Sequence, residues 1–505
     1  MPVIPKRNLG GKRVTTVWAE KHLPADEADE GFYRICGKSG SGKSHLVKLF
    51  LLDVLREVEA NPHAKLVVYE PKREFFAWLS SIGLSSPIRY FCTSDERSKA
   101  VDFERDYSSV NDSNTLAYAF HPHDPNERQR FFGDALRTIF AGVYEALRVK
   151  HGRADLRLVC LVLEDSELTK RVLGRDEYLV QARRLVEENG GKVGETKASI
   201  IATIDTRIAQ MKVLACHLEA ARRENGSLSL REFIDGTNQG ILVVSKDTRF
   251  GYVQDPMNGV LFMRLTELLD SKQQDPRRKV FIVIDEFQTL AGDNPAPRMA
   301  DMFLRLRSRG VVVLLTYQAQ TSLRRIYGDT VTEFIGQCSN VMYLQQTDVE
   351  SAEYASKDLG CERGFETVKS VSLGGVGSYG GRSPEMPHTT WNVQKSQQWY
   401  DRPIHSPTEL LNGIQPPNKT RGLHGRAKSP LVGSRPWAFW YPPDMVEGIP
   451  KRHRDIIEYE ERSDDTQRLP PLTAGERKAL EGLSTNLTDA DPEEDEAAPW
   501  HKFNS

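Results

Sequence analysis

The chain has 505 residues, enough for more than one structural unit with its own buried core. Its 68 lysines and arginines nearly balance 70 aspartates and glutamates, giving a net charge of −2; the whole-chain field therefore offers no argument for nucleic acid or an anionic membrane, and any such binding has to be local. The six cysteines (Cys36, Cys92, Cys160, Cys216, Cys338 and Cys361) are scattered without a CxxC pair and read as reduced core thiols. With no signal-peptide pattern and no apolar run near the roughly 18 residues of a membrane span, the chain is expected to be soluble and cytoplasmic.

Residues 1–30 begin with Lys6, Arg7, Lys12 and Arg13 and run into the acidic ADEADE; they read as an arm or edge strand. Over 31–121 short apolar runs alternate with helical patterns (FYRIC, HLVKLFLLDVLREV, KLVVYE, IRYFC), which predicts an α/β unit with a mainly parallel sheet. Over 122–235 strand signals fade. Phe132, Leu136, Ile139, Val143 and Leu147 fall on one helical face, as do Ile201, Ile204, Ile208 and Met211, so an all-α inserted domain is expected. Strand-like runs return over 236–445 as ILVVS, VFIVIDEF, VVVLLTY and VMYL, and the α/β unit resumes. Within it, residues 372–386 (SLGGVGSYGGRSPEM) read as a mobile loop. Residues 446–505 form a tail, and its last 50 or so residues, with the acidic DADPEEDEAAP, are expected to be disordered.

GKSGSGKS, residues 37–44, follows an apolar strand run and precedes an amphipathic helix, the context a P-loop requires. The glycines Gly37, Gly40 and Gly42 let the backbone curl so that its amides, with those of Lys38, Ser39 and Ser41, face phosphates at a helix N-terminus. Lys43 is the residue to reach the β and γ phosphates of ATP, and Ser44 the one to ligate Mg2+. A glycine-serine turn that fits by accident is the bland alternative, and the flanking pattern counts against it.

VFIVIDEF delivers Asp285 and Glu286 at the C-terminal end of an apolar strand, where ligands bind in doubly wound sheets. In such a Walker B arrangement Asp285 holds the Mg2+ shell and Glu286 orients the attacking water. Without the upstream loop, a strand end capped by solvated acids would be an equal reading. Gln318 follows the next buried strand, where a glutamine can sense the γ-phosphate. Arg305, Arg307 and Arg309 precede that strand; each can equally be a solvated helix residue, and the residues alone do not choose among them.

Several segments resemble the TraG/TraD family of type IV secretion coupling proteins, hexameric ATPases of the HerA/FtsK superfamily. GVVVLLTYQAQTSLRRIYG (310–328) looks like the family's strand, glutamine and YG segment, AEYASKDLG (352–360) a later one, VVYEPKREF (67–75) its DPKGEF-like stretch, and RPIHSPTELL (402–411) its late RPL-type segment. AYAFHPHD (117–124) and SLREFI (229–234) are similar to the entry and exit of its all-α domain, so the likeness spans roughly residues 31–445. Glu70 stands where the family has aspartate and Arg73 where it has glycine, and its N-terminal membrane helices have no counterpart.

The resemblance implies a RecA-like P-loop core and a catalytic set of Glu286, Gln318 and Arg307. Arg307 takes the position of the family's arginine finger, which acts on the neighbouring subunit's ATP. It implies a homo-hexamer that hydrolyses ATP to move DNA, single-stranded or linked to a relaxase, toward secretion-channel proteins, with partners recruiting it to the inner membrane. Arg324 and Arg325 are candidate pore contacts, but solvated helix charges are the plainer reading. The aromatics at 437–441 read as core. Two other functions compete: a soluble HerA/FtsK-type DNA translocase for packaging, repair or defence, favoured by the lack of membrane helices, and an ATP-binding substrate adaptor without motor activity, disfavoured because Lys43 and Glu286 are both present.

Overall fold

The apolar runs become the strands of one nine-stranded sheet in the computed structural model. It describes residues 17–23, 31–121, 130–174, 176, 179–186, 195–273, 275, 277–290, 306, 309–328, 330–374, 390–433, 435–462 and 468–483. In chain order the sheet strands are β1 (Phe32–Cys36), β2 (Ala64–Glu70), β3 (Ile88–Phe91), β4 (Gly240–Ser245), β5 (Lys279–Ile284), β6 (Val311–Tyr317), β7 (Asn340–Tyr343), β8 (Leu423–Lys428) and β9 (Trp437–Tyr441). Across the sheet they lie in the order β9-β8-β7-β1-β6-β5-β2-β4-β3. Neighbours are parallel, except that β8 runs antiparallel to both β7 and β9. The expected α/β class with a mainly parallel sheet is the one observed.

Parallel neighbours need a crossover, and helices supply it. Helix α1 (Lys43–Ala60) joins β1 to β2, and α2 (Glu74–Ser81) joins β2 to β3. Successive strand residues point to opposite faces. Leu66, Val68, Phe281, Val283, Val312 and Leu314 pack with Leu51 and Leu55 of α1 on one side. Val67, Tyr69, Ile282, Ile284, Val313 and Leu315 belong to the core on the other, which continues into the helical region. Because both faces are covered, the strands read as unbroken apolar runs.

Between β3 and β4 the chain is mainly helical: α3 (Val110–Phe120), α4 (Arg130–Ala146), α5 (Leu156–Glu164), α6 (Ser166–Leu173), α7 (Val180–Val186), α8 (Glu195–Asn225) and α9 (Leu230–Asp235). Leu136, Ile139, Val143 and Leu147 are buried, as are Ile204, Ile208 and Met211, whereas Ile201 is half-buried. Entry and exit are tied together. Ala100–Val101 pairs in parallel with Ser227–Leu228, and the buried Asp106 carboxylate accepts hydrogen bonds from Ser229 Oγ (2.7 Å) and the amides of Leu230 (2.9 Å) and Arg231 (3.0 Å).

Later helices are α10 (Gly251–Asp270), α11 (Gln320–Tyr327), α12 (Val349–Leu359) and α13 (Ala474–Gly482). At the N-terminus, Val17–Trp18 pairs antiparallel with Lys21–His22, and Trp18 is buried edge-on against Tyr33; residues 1–16 and 24–30 lie outside the described residues.

Several expectations change. Of the loop foreseen at 372–386, Ser372, Leu373 and Gly374 belong to a strand, Cys361–Gly374, paired antiparallel with Thr390–Pro403; residues 375–389 lie outside the described residues. Part of the end expected to be disordered is folded. Thr473 and Glu476 form a capping box at the start of α13, Arg157 of α5 donates to both Glu476 oxygens (2.9 and 3.0 Å), and Leu480 is fully buried. The acidic run beyond residue 484 lies outside the described residues. Five cysteines are buried, as expected of core thiols, but Cys361 is exposed. Phe439 and Tyr441 are core residues, while Trp440 is half exposed. Among the described residues no helix is long and apolar enough to cross a membrane.

Two buried histidines on the helical side are held neutral. Burial, with Arg207 and Arg137 nearby, pulls His121 down to about 3, and burial with Arg462 nearby pulls His217 down to about 4. Above the ordinary histidine pKa of about 6.5 neither the folded nor the unfolded chain is protonated there; below it the unfolded chain binds protons that the folded one refuses, and stability falls until the folded values are reached. Denaturant unfolding should therefore show a loss between pH 7 and pH 5 of about 2 kcal/mol per histidine. His217→Gln should remove its share of that slope, and an unchanged slope would contradict the assignment.

Candidate functional site

The register of three central strands brings the sequence-predicted residues to one edge. Tyr317 of β6 is level with Cys36 of β1, and Leu315 of β6 is level with Ile284 of β5. Residues 37–44, Gln318 and the pair Asp285 and Glu286 thus all leave the sheet at the C-terminal ends of adjacent strands, the ligand side of a parallel sheet.

The glycine-rich loop is fastened to both flanking strands: the Gly37 amide donates to Tyr317 O (3.3 Å) and the Lys38 amide to Gln345 O (2.8 Å). Gly40 (φ 74°) and Gly42 (φ 102°) take left-handed conformations, and a Cβ on Gly42 would run into Leu423. Ser39 and Gly40 form the exposed tip, Ser44 is half-buried in the first turn of α1, and no side chain caps that helix. Lys43 folds back over the loop, its Nζ donating to Gly37 O (2.6 Å) and Lys38 O (3.0 Å). Burial lowers its pKa, while Asp285 and Glu286 among others oppose that shift. Ser41 Oγ is buried with no hydrogen-bond partner among the described residues. An uncapped helix N-terminus, an orphaned hydroxyl and an ammonium bonded only to carbonyls of its own loop fit a polyphosphate cradle.

Asp285 is buried, and burial raises its pKa against the opposing hydrogen bond from Thr316 Oγ (2.6 Å). The same Thr316 hydroxyl accepts the Glu286 amide (3.0 Å), so one side chain of β6 fixes both acids of β5. Glu286 adopts φ 52°, a left-handed conformation costing a non-glycine residue about 1 kcal/mol. Its Oε1 accepts from Lys72 Nζ (2.8 Å) and from Gln318 Nε2 (3.3 Å). Glu286 and Gln318 are therefore in contact, while Arg305 and Arg307 lie outside the described residues. Arg309 sits at the opposite end of β6, donating to Lys272 O (3.0 Å). Arg324 pairs with Glu350 (3.3 Å) in an exposed bridge on α11.

Two residues were not singled out from the sequence. Thr316 lies inside an apolar strand run, and Lys72 belongs to EPKREF, which was read for its departures at 70 and 73. Lys72 reaches Glu286 only because β2 lies beside β5, with Tyr69 level with Ile284. The departures have local reasons. Glu70 is fully buried, accepting from Ser245 Oγ (2.6 Å) and the Glu74 amide (2.7 Å), and burial pushes its pKa up to about 8. Arg73 has φ 61°, a conformation that favours glycine, and its guanidinium stacks on Tyr459 (3.9 Å).

The chain matches, over residues 23–412, the profile of the family described as the type IV secretion-system coupling protein DNA-binding domain. None of the curated proteins compared matches it. Among solved structures, the unbound bacterial conjugative coupling protein TrwBdeltaN70 superposes with a TM-score of 0.65 at 15% identity, covering 89% of this chain and 92% of that one. TrwB in complex with the non-hydrolysable ATP analogue ADPNP gives 0.65 at 15%, covering 89% and 93%. TrwB with ADP and Mg2+ gives 0.64 at 15%, covering 90% and 94%. At these identities the likeness establishes the fold.

Thr316→Val should strand a buried carboxylate and a backbone amide together. The expected loss is about 1–3 kcal/mol, read from the urea midpoint, with Thr316→Ser restoring most of it; equal midpoints for Val and Thr would remove the hydroxyl from this role.

Proposed function

Because the chain belongs to the type IV secretion-system coupling protein family, we propose that it is an ATP-hydrolysing motor that moves DNA in conjugative transfer, working as a ring of six copies. The observation that carries this reading is the meeting of Lys43, Asp285, Glu286 and Gln318 at one sheet edge, with Glu286 hydrogen-bonded to Gln318.

In this reading residues 37–44 wrap the phosphates of ATP, and Lys43 exchanges its two loop carbonyls for phosphate oxygens. Ser44 and Asp285 are the residues to hold Mg2+, which when bound supplies positive charge to the phosphate oxygens. The nucleotides held by TrwB support that choice of ligand. Glu286 orients the attacking water, and Gln318, touching it, passes the state of the γ-phosphate to α11. Lys72 competes for the same Glu286 oxygen and holds the carboxylate at the edge. Arg307 is assigned to the neighbouring subunit's ATP, where a guanidinium stabilises charge developing in the transition state. DNA as cargo rests on the family's described DNA-binding domain; a relaxase and the channel proteins are the partners that cargo requires.

ATP turnover by the purified chain, with and without single-stranded DNA, tests this. Lys43→Ala should abolish turnover, and Glu286→Gln should retain ATP while losing at least about a hundredfold in turnover. Full turnover in Glu286→Gln would refute its role. Mixtures of Lys43→Ala and Arg307→Ala subunits should regain activity only where an intact loop faces an intact arginine; no recovery would place the finger elsewhere.

A further inference from the structure

Lys72 Nζ meets Glu286 Oε1 at 2.8 Å, and the backbone on both sides of that pair is left-handed: Arg73, next to Lys72, has φ 61° and Glu286 φ 52°. Non-glycine residues keep such conformations only where their surroundings fix them, and such residues recur in switches. Lys72 is 45% exposed. A half-exposed ion pair contributes little by itself, so whatever fixes the turn that carries Lys72 and Arg73 decides whether the pair forms. The pair matters to the site because Oε1 also accepts from Gln318. With both donors in place the two acceptor positions of that oxygen are filled, and releasing Lys72 reopens one for a water.

The turn is held by the segment after β9. Tyr459 lays its ring over the Arg73 guanidinium (3.9 Å), and its hydroxyl donates to Ser94 O (3.0 Å) while accepting from Arg249 (2.9 Å). Arg73 and Arg249 converge on the buried Asp247 (3.5 and 2.9 Å). The backbone on either side of Tyr459 is fastened as well: Arg97 donates to Ile457 O (3.0 Å) and Glu458 O (3.2 Å), and the Arg462 amide donates to Ser94 O (2.9 Å). Arg462 also pairs with Glu224 in the last turn of α8. Residues 457–462 are thus tied to the helical region at one end and, through Tyr459, to the turn beside Glu286.

We propose that residues 457–462 are a regulatory latch: by holding Arg73 they keep Lys72 on Glu286 and turnover low, and movement of the helical region releases them. A shift of α8 pulls on Arg462, Tyr459 leaves Arg73, the turn relaxes and Oε1 is freed. The latch rests on the reading that Glu286 orients the attacking water.

The test is ATP turnover by the full chain without DNA. Tyr459→Ala should raise kcat roughly fivefold, the effect of losing one cation–π contact, with KM unchanged. Lys72→Gln should raise kcat too, and adding Tyr459→Ala to it should do nothing more, because both act through one contact. Unchanged thermal unfolding establishes that each variant is folded; should Tyr459→Ala unfold, Arg73→Gln, which removes the cation from the stack, replaces it. A kcat unchanged by Tyr459→Ala, a fall in kcat on Lys72→Gln, or a further rise in the double variant overturns the latch. Glu286→Gln separates the two readings. If it turns over ATP as fast as the unaltered chain, the role of Glu286 falls and the latch with it; if it is inactive while Tyr459→Ala matches the unaltered chain, the latch alone falls.

Discussion

Everything at the candidate site depends on the parallel pairing of β1, β6 and β5. Parallel strands end on the same side, so segments more than two hundred residues apart in sequence, at 37–44 and 285–286, emerge together. Both sheet faces are sealed by apolar side chains, leaving the strand ends as the place where backbone amides and carboxylates can meet a ligand. The middle strand adds the finer control. Thr316 contributes one hydroxyl that orients Asp285 and anchors the Glu286 amide, and two residues later in sequence Gln318 meets the Glu286 side chain.

Beneath that edge lies a buried cation. Arg34, in the middle of β1, donates to Asp358 of α12 (2.8 Å), Tyr317 OH (3.1 Å) and Cys338 O (3.2 Å), and Tyr343 OH donates to the same aspartate (2.9 Å). A lone buried guanidinium would be costly, whereas this one is paired and hydrogen-bonded throughout. It links the loop-bearing strand, the glutamine-bearing strand and α12. The described residues after β9 work as a strap. Tyr459 covers Arg73, Arg462 donates to Asp95 O (3.0 Å), and α13 docks on the helical region through Arg157 and Leu480. That strap binds the surroundings of EPKREF to the helices inserted after β3.

What was legible in the sequence was whatever is local. The P-loop is a contiguous spacing between a strand run and a helix run, and doubly buried strands announce themselves as apolar runs. Lys72 and Thr316 were not legible because their meaning comes from which strand lies beside which, a long-range fact that no window contains. Arg34 reads as a charge interrupting FYRIC until partners some three hundred residues away are counted. The folded end of the tail was legible and went unread: Thr473 and Glu476 carry the spacing of a capping box. The two-stranded ribbon of Cys361–Gly374 and Thr390–Pro403 escaped for another reason. Its glycines, serines and glutamines dilute the strand signal, and its pairing register is a fact that composition does not carry.

The exposed Cys361 acquires a use from its position. Burial pushes the other five thiols above their ordinary range, and a protonated, enclosed thiol is a poor nucleophile. A maleimide dye added under native conditions would therefore attach at the foot of the ribbon, opposite Pro403. The unaltered chain thus carries a built-in single-site handle for optical distance measurements between the foot of the ribbon and the strand edge that bears residues 37–44.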